Sequence, residues 1–278
     1  MSTRHGEGVG EEVDEILDHV EMALDAGDPG IALESVLQLL TRHPRHADGL
    51  YLLGECHRDL GAHNEALEAY RRCVLADPHH AGAWAALGSV HLLLLQIEEA
   101  RRALHRALRE GPSNPEAYYA RALVRERTGD FNGSDRDLAR AARLDPAGYP
   151  FPVPLDDAEL EAAVSEVLES LHPSLQEYLA NVAILVEEIP SDEILSQYDP
   201  PVSPGELLGY FSGASLMDRS VEDPWSHLPS AIILFRRCLQ RYAQSHEQLI
   251  EELSTTIYHE VGHFLGLDEE DLKERGLE

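Results

Sequence analysis

The chain has 278 residues, with 22 lysines and arginines against 51 aspartates and glutamates, and its formal net charge is -29. Such an acidic surface argues against nucleic acid and anionic membranes as partners, because both bind basic faces of proteins. The length allows one large domain or two modest ones.

The N-terminal segment lacks the apolar core of a signal peptide, and the longest aliphatic run is four leucines, too short to span a bilayer. The three cysteines, Cys56, Cys73 and Cys238, are widely spaced and contain no CxxC pair. These features predict a reduced, cytoplasmic protein.

Residues 1–12 are predicted to be a disordered N-terminus. Beyond them, proline recurs every 34 residues, at positions 44, 78, 112 and 146, and small residues such as Gly54 and Gly88 recur at matching offsets. A period of 34 is typical of a helix-turn-helix repeat. Residues 13–148 resemble the tetratricopeptide repeat family, which predicts four repeats stacked in an all-α solenoid with a continuous core.

In the family that this segment resembles, the first helix of each repeat lines a concave face that binds an extended peptide or a partner helix. The resemblance implies a protein or peptide partner there, and the acidic and apolar positions predict that it is basic or apolar. The alternative is that the repeats only stabilise or oligomerise the protein. The predicted concave positions are Asp14, Leu17, Glu21, Leu24, Asp48, Tyr51, Glu55, Arg58, Gly82, Ala85, Ser89, Leu92, Glu116, Tyr119, Leu123 and Glu126.

A proline-rich linker is predicted over residues 149–156, where helical patterns stop on both sides. Residues 1–148 carry 25 acidic and 16 basic residues, a balance of -9, whereas residues 149–278 carry 26 and 6, a balance of -20. The second domain, residues 157–278, is therefore the strongly acidic one, and its substrate is predicted to be neutral or basic.

The second domain has the pattern of a small α+β domain. An amphipathic helix is predicted over DDAELEAAVSEVLESL, a strand over NVAILVEEIP, a short strand within ELLGYFSGASL, and a more central strand over SAIILFRRCL that leads into a helix. A long helix from about Glu247 to Leu265 and a short one over Glu269–Arg275 follow. Either VAILV or AIILF is predicted to present an edge to an extended peptide.

The long helix carries the sequence HEVGH. His259 and His263 lie one turn apart on a common face with Glu260 beside them, which is the H-E-x-x-H arrangement of zinc metallopeptidases. Gly266 is predicted to end the helix in a positive-φ turn that directs the following residues back. The alternative is a solvated helix face with acidic residues after it.

The third metal ligand is predicted to follow that turn. Glu269 lies ten positions after His259, the offset of the third histidine in the extended H-E-x-x-H-x-x-G-x-x-H pattern. Its carboxylate is the predicted ligand and Asp268 is the runner-up. His246 and His227 are weaker alternatives.

From about residue 157 to the end, the segments ANVAILVEEIP, LLGYFSG, LPSAIILFRR and TIYHEVGHFLGLDEEDL resemble the minimal zincin-like metallopeptidases of bacteria. The resemblance implies a small twisted sheet with the metal helix packed beneath it. It also implies a Zn²⁺ ion held by His259, His263 and the acidic residue after Gly266, with Glu260 as general base. Candidate oxyanion-stabilising groups are Arg219, Tyr210 and Tyr258.

Together these features predict a cytoplasmic, zinc-dependent peptidase whose repeat domain recruits a protein substrate or adaptor. The alternative is a repeat scaffold whose zincin-like domain is catalytically idle or regulatory.

Overall fold

The computed structural model describes residues 4–198, 201–215 and 230–274, except for the side chains of residues 4–11, 174, 178 and 269. The chain divides into two compact units, Met1–Tyr149 and Pro150–Glu278, and the division falls in the proline-rich segment. In the ranges just given, no helix is both long enough and apolar enough to cross a membrane.

The first unit contains consecutive helices that follow the 34-residue period. They are α1 (Arg4–Asp25), α2 (Pro29–Arg42), α3 (Ala47–Asp59), α4 (His63–Ala76), α5 (Ala81–Leu93), α6 (Ile97–Glu110), α7 (Pro115–Arg127) and α8 (Phe131–Leu144). Helix α1 begins at Arg4, inside the range 1–12 for which disorder was predicted, and residues 1–3 of that range lie outside the described residues. An ion pair between Glu12 and Arg42, the last residue of α2, ties this part of α1 to the next helix.

Side-chain caps begin three of these helices at equivalent repeat positions. His46 and His80 accept hydrogen bonds at Nδ1 from the backbone N–H groups three residues on, at 3.2 and 2.9 Å. Asn114 makes the same contact through Oδ1 at 2.9 Å. Each cap satisfies a backbone donor that the first helical turn leaves unpaired, so the sequence repeat is also a repeat of helix starts.

Close approach within two of the repeats requires glycine at the same position of the first helix. A Cβ placed on Gly54 would lie 2.3 Å from the ring of Tyr70, and one on Gly88 would lie 2.5 Å from Leu104. Tyr70 and Leu104 are fully buried. In these two repeats the paired helices therefore pack through a glycine. The buried apolar residues of the array form two clusters, one that extends from α1 to α6 and one across α5, α6 and α7.

The second unit combines helices with a three-stranded sheet in its described residues. Its helices are α9 (Asp157–Ser170), α10 (Pro173–Leu179), α11 (Asp192–Leu195), α12 (Arg236–Tyr242), α13 (His246–Leu265) and α14 (Glu269–Glu274). Its strands are β1 (Val182–Glu187), β2 (Gly209–Ser212) and β3 (Ser230–Phe235). The predicted α+β class of this region is confirmed.

The strand order is β1-β3-β2, so β3 is the central strand as predicted. β1 runs parallel to β3, from Val182 opposite Ser230 to Glu187 opposite Phe235. β2 runs antiparallel to β3 on its other side. Because β3 is paired along both sides, the prediction that AIILF could present an edge to a peptide is wrong.

Helix α13 packs its apolar stripe against the sheet and against α9. Leu253, Ile257 and Phe264 are fully buried in a cluster with Ile232 and Leu234 of β3. Side chains of α9 join the same cluster at Ala163 and Val167. This packing fixes the rotation of α13, and with it the direction in which the opposite face of the helix points.

Candidate metal centre

Helix α13 directs two imidazoles to one point. The Nε2 atoms of His259 and His263 lie 3.1 Å apart, with 4.7 Å between the ring centroids and 80° between the ring planes. Both residues are half-buried and line a cleft. Residues four apart share a helix face, which explains why the two rings meet.

The backbone beyond the helix orients the second of these rings. Nδ1 of His263 lies 3.1 Å from the carbonyl oxygen of Leu267, which accepts, so Nδ1 is the donor. In the neutral ring, Nε2 then carries the lone pair that faces His259. A donor hydrogen bond from the other ring nitrogen is the usual support of a metal-binding histidine.

The turn that places Leu267 is formed at Gly266. This residue has φ 93° and ψ 17°, in the left-handed region, and the N–H of Leu267 donates to the carbonyl of Gly262 at 3.0 Å. Both features define a glycine-based helix end. The predicted positive-φ turn at Gly266 is confirmed.

Helix α14 then folds back onto α13. Leu272 is fully buried, and a Cβ on Gly262 would lie 2.3 Å from its Cδ2 atom. Gly262, the glycine of the HEVGH sequence, therefore leaves room for the side chain of Leu272 from α14. This explains how a short tail after Gly266 is held against the helix that carries both histidines.

The two candidates for the third ligand, Glu269 and Asp268, lie at the start of α14. The side chain of Glu269 lies outside the described residues, although its backbone begins α14. Asp268 accepts from the Asp271 N–H at 2.9 Å and so caps α14. Within the part of the chain that the structure covers, no group of three His, Cys, Asp or Glu side chains forms a metal site.

Of the weaker histidine candidates, His246 does not join the pair. His246 is the first residue of α13, thirteen residues before His259, and at 1.5 Å per residue it lies about 20 Å away along the helix. Its Nε2 is 3.5 Å from a carboxylate oxygen of Glu159. His227 lies outside the described residues, as does the candidate oxyanion group Arg219.

Glu260 shares the cleft with the two histidines. Its side chain is 6% exposed. The cleft has a volume of about 430 Å³. It is lined by Tyr198, Leu207, Gly209, Tyr210, Phe211, Gly213, Ser215, His259, Glu260 and His263. A carboxylate and two imidazole nitrogens therefore face one solvent-connected space.

The strand beside this cleft is β2, which the sequence assigned no role in binding. A Cβ on Gly209 would lie 2.6 Å from Cγ2 of Thr256 and 3.1 Å from Oε1 of Glu260. The strand thus passes directly over the helix face that carries Glu260. The glycines that flank YFS in the sequence were the available signal for this close approach.

The two tyrosines proposed as oxyanion groups have structural partners. Tyr210 lines the cleft and donates to Oε1 of Gln197 at 2.9 Å. The hydroxyl of Tyr258 lies 2.7 Å from Oγ of Ser170, which links α13 to α9.

The histidine pair fits a zinc ion. At a Zn–N distance of about 2.0–2.1 Å, tetrahedral geometry separates two ligand nitrogens by about 3.3 Å. The observed separation of the Nε2 atoms is 3.1 Å. Two lone pairs this close repel each other unless a proton or a cation lies between them, so the arrangement suits a shared cation.

Different known families match the two units of the chain. Residues 179–277 match the zincin-like metallopeptidase family, and residues 17–81 and 58–124 match tetratricopeptide repeat models. The chain joins tetratricopeptide repeats to a zincin-like metallopeptidase domain. Among curated proteins, none matches the sequence.

Solved structures with similarity to the chain include several repeat proteins. The thermophilic tetratricopeptide repeat protein TTC0263 of Thermus thermophilus is 22% identical over 60% of this chain and 87% of its own, with a TM-score of 0.46. MamA of Desulfovibrio magneticus RS-1 is 18% identical over 60% and 89%, with a TM-score of 0.42. PilF of Pseudomonas aeruginosa is 20% identical over 50% and 64%, with a TM-score of 0.47.

The repeat array carries two groups of polar contacts, one between α3 and α4 and one between α5 and α7. Glu55 accepts from the hydroxyl of Tyr70 at 2.6 Å and forms an ion pair with Arg58 at 2.6 Å. Ser89 donates to Glu116 at 3.1 Å. Burial raises the pKa of the Glu55 carboxyl above its usual range, while Arg58 and the Tyr70 hydrogen bond oppose that shift.

Part of the predicted concave face is not available to a partner. Ala85, Leu92 and Leu123 are buried in the core between repeats. Glu126 is 3% exposed and accepts from the hydroxyl of Ser134 at 2.9 Å. These four positions are therefore core residues rather than binding residues.

Proposed function

We propose that the zincin-like domain is a zinc-dependent peptidase and that the repeat array recruits its protein substrate or an adaptor. The observation that carries the proposal is the 3.1 Å approach of the His259 and His263 Nε2 atoms in a cleft that also contains Glu260. The family match of residues 179–277 supports the same chemistry.

His259, His263 and Glu269 would hold the zinc ion in this proposal. Glu269 is preferred over Asp268 because the Asp268 carboxylate accepts the Asp271 N–H at the start of α14. The hydrogen bond from His263 to Leu267 would keep its Nε2 directed at the ion. When bound, zinc would supply a Lewis acid that polarises a carbonyl and acidifies water.

Glu260 would act as the general base. Its carboxylate is nearly buried beside both histidines, so it is positioned by packing rather than free to rotate in solvent. It would accept the proton of the attacking water and deliver it to the leaving amine. General base catalysis of this kind accounts for rate factors of about 10²–10⁴.

The substrate would bind as an extended peptide along β2. One side of β2 is paired with β3, and in the described residues the sheet ends at β2 on the other side. Added backbone hydrogen bonds would align a peptide across the cleft that Gly209, Tyr210 and Phe211 line. The balance of -20 over residues 149–278 favours neutral or basic substrates.

The repeat array would bind its partner through the concave face. An ion pair holds Glu55 against Arg58, and a hydrogen bond from Ser89 holds Glu116. The acidic and apolar groups of this face favour a basic or apolar partner. Zinc dependence and a cytoplasmic location are part of the same proposal.

The experiment that tests the proposal compares Glu260→Gln with the wild-type protein on a mixture of proteome-derived peptides, with cleavage read by mass spectrometry. We expect zinc content to be unchanged and cleavage to fall by about 10²–10⁴-fold. Glu251→Gln is the matched control, since Glu251 is an exposed glutamate of the same helix. Cleavage that survives in Glu260→Gln, or that is absent from zinc-loaded wild-type protein, contradicts the proposal.

A further inference from the structure

The repeat array has an apolar groove away from its concave positions. It lies between α4, α5 and α6 and has a volume of about 590 Å³. Val74, Leu87 and Ala103 are buried beneath it, and Trp84 forms part of its wall. None of its lining residues is among the concave positions, so a partner here would not compete with one on the concave face.

Leu75 stands between this groove and a second one. Its side chain is 81% exposed, the most exposed large apolar residue that the structure describes. It lines the first groove and also a neighbouring groove of about 540 Å³, which Pro44, Leu50 and Ala76 border. The two grooves share Leu75 as a lining residue, and we call them together the outer groove.

The rim of the outer groove is basic, in contrast to the chain as a whole. Its lining includes five arginines and one glutamate, a formal charge of +4 on a chain of net charge -29. The arginines are Arg45, Arg71, Arg72, Arg102 and Arg106, and the glutamate is Glu99.

Local contacts show how that positive charge is arranged. The guanidinium of Arg106 lies 6.0 Å from the ring centre of Trp84, and its Nη2 is 3.1 Å from Glu110. Arg102 pairs with Glu99 at 3.0 Å, with both side chains solvent-exposed. An exposed pair of this type is weak, so the guanidinium can exchange its partner for an incoming carboxylate.

We propose that the outer groove binds an acidic, amphipathic segment of a partner protein. Its apolar side chains would fill the space on either side of Leu75, and its carboxylates would meet the arginines of the rim. The apolar floor favours aliphatic or aromatic side chains over the phosphates of a nucleic acid, which contact polar and basic surfaces. The array would then hold two partners of opposite charge, one on each of two separate surfaces.

Trp84 provides a direct readout in the full-length protein. The chain has two tryptophans, so Trp225→Phe leaves Trp84 as the single tryptophan, whose emission is excited selectively beyond the absorption of tyrosine. The probe is a synthetic peptide with leucine at i, i+3, i+4 and i+7 and glutamate elsewhere, and the control peptide has lysine for each glutamate. We expect the acidic peptide to change Trp84 emission saturably, and raising the salt from about 0.05 M to about 0.5 M to weaken binding.

Two variants locate the binding site. In the Trp225→Phe background, Leu75→Ser and Arg102→Glu should each weaken the acidic peptide by roughly tenfold. Both side chains are exposed, so the fold tolerates the changes. Met22→Ser is the matched control, because Met22 is 70% exposed on α1 and lines neither groove.

Several results would overturn the proposal. These are no binding of the acidic peptide, equal binding of the lysine peptide, or an affinity that Leu75→Ser leaves unchanged. Displacement by a single-stranded DNA oligonucleotide would assign the groove to nucleic acid instead. Concentration-dependent self-association that Leu75→Ser abolishes, without peptide binding, would assign it to a second copy of the chain.

Discussion

Nδ1 of His263 donates to the carbonyl oxygen of Leu267 at 3.1 Å. This single contact links the orientation of a proposed metal ligand to the chain that follows the helix. Leu267 reaches that position because Gly266 turns the backbone at φ 93°. We therefore expect the geometry of the turn to affect the zinc affinity of the proposed centre.

Gly266→Ala tests this coupling. Alanine in the left-handed region costs about 1–2 kcal/mol, so we expect lower stability and a shifted Leu267 carbonyl. Loss of such a supporting hydrogen bond typically weakens metal affinity by about 10–100-fold, which titration with zinc and a competing chelator measures. Gly61→Ala, at φ 71° in the repeat array, is the matched control for backbone strain. Equal zinc affinity in both variants would show that the turn does not support the centre.

Gly209→Ala tests the position of Glu260. The added methyl would lie 2.6 Å from Cγ2 of Thr256 and 3.1 Å from Glu260 Oε1, so the carboxylate must move. We expect peptide cleavage to fall by roughly tenfold or more while zinc content stays the same. Adding Thr256→Ser removes the clashing methyl but keeps the hydroxyl that donates to Glu252. The double variant should recover part of the activity, and no recovery would argue against this steric route.

Leu95→Gly tests strain in the repeat array. Leu95 has φ 54°, whereas its equivalents 34 residues apart, Gly27, Gly61 and Gly129, have φ of 71–78°. Glycine removes a left-handed penalty of about 1–2 kcal/mol but adds conformational entropy to the unfolded chain. We expect a net gain of about 0.5–1 kcal/mol in the free energy of unfolding, measured with urea. A loss of stability would show that the leucine side chain contributes more packing than the strain it causes.

His91 predicts a pH dependence of stability. Burial lowers the pKa of its imidazole below 6.5, Arg71 and Arg102 lower it further, and Gln96 and Glu99 oppose the shift. Because the pKa of His91 is lower in the folded protein, the unfolded chain protonates this histidine first as the pH falls. The neutral ring thus stabilises the fold fully above pH 6.5, and that contribution declines as the pH falls below it.

The variant His91→Gln should lose part of this pH dependence. On going from pH 7.5 to pH 5.5, we expect the free energy of unfolding of the wild type to fall by more than that of the variant. Thermal or urea unfolding at both pH values measures it. His105→Gln, at an exposed histidine of α6, is the control. If the unfolding free energies of the two proteins fall equally, His91 does not cause the pH dependence.

The sequence predicted elements with a strong local signal. The period of 34 reflects equivalent caps at His46, His80 and Asn114, and glycine at 266 is the residue that a left-handed helix end requires. The aliphatic run of β3 correctly indicated a central strand, since β3 is paired along both sides and four of its six residues are buried.

Other features depend on contacts that no local pattern contains. The strand at the cleft is β2, only four residues long, and its role follows from the fit of Gly209 over Thr256. The concave offsets failed at Ala85 and Leu123 because neighbouring helices cover these positions. The identity of the third ligand depends on how the chain returns after Gly266, which spacing alone left open between Glu269 and Asp268.

The most direct test of the account is a crystal structure grown with zinc, with anomalous diffraction recorded at the zinc absorption edge. We predict one strong peak at about 2.0–2.2 Å from the Nε2 atoms of His259 and His263, with a Glu269 carboxylate oxygen completing the protein ligands. No peak between the two imidazoles, or a peak enclosed by a fourth protein side chain, would contradict the proposed peptidase centre.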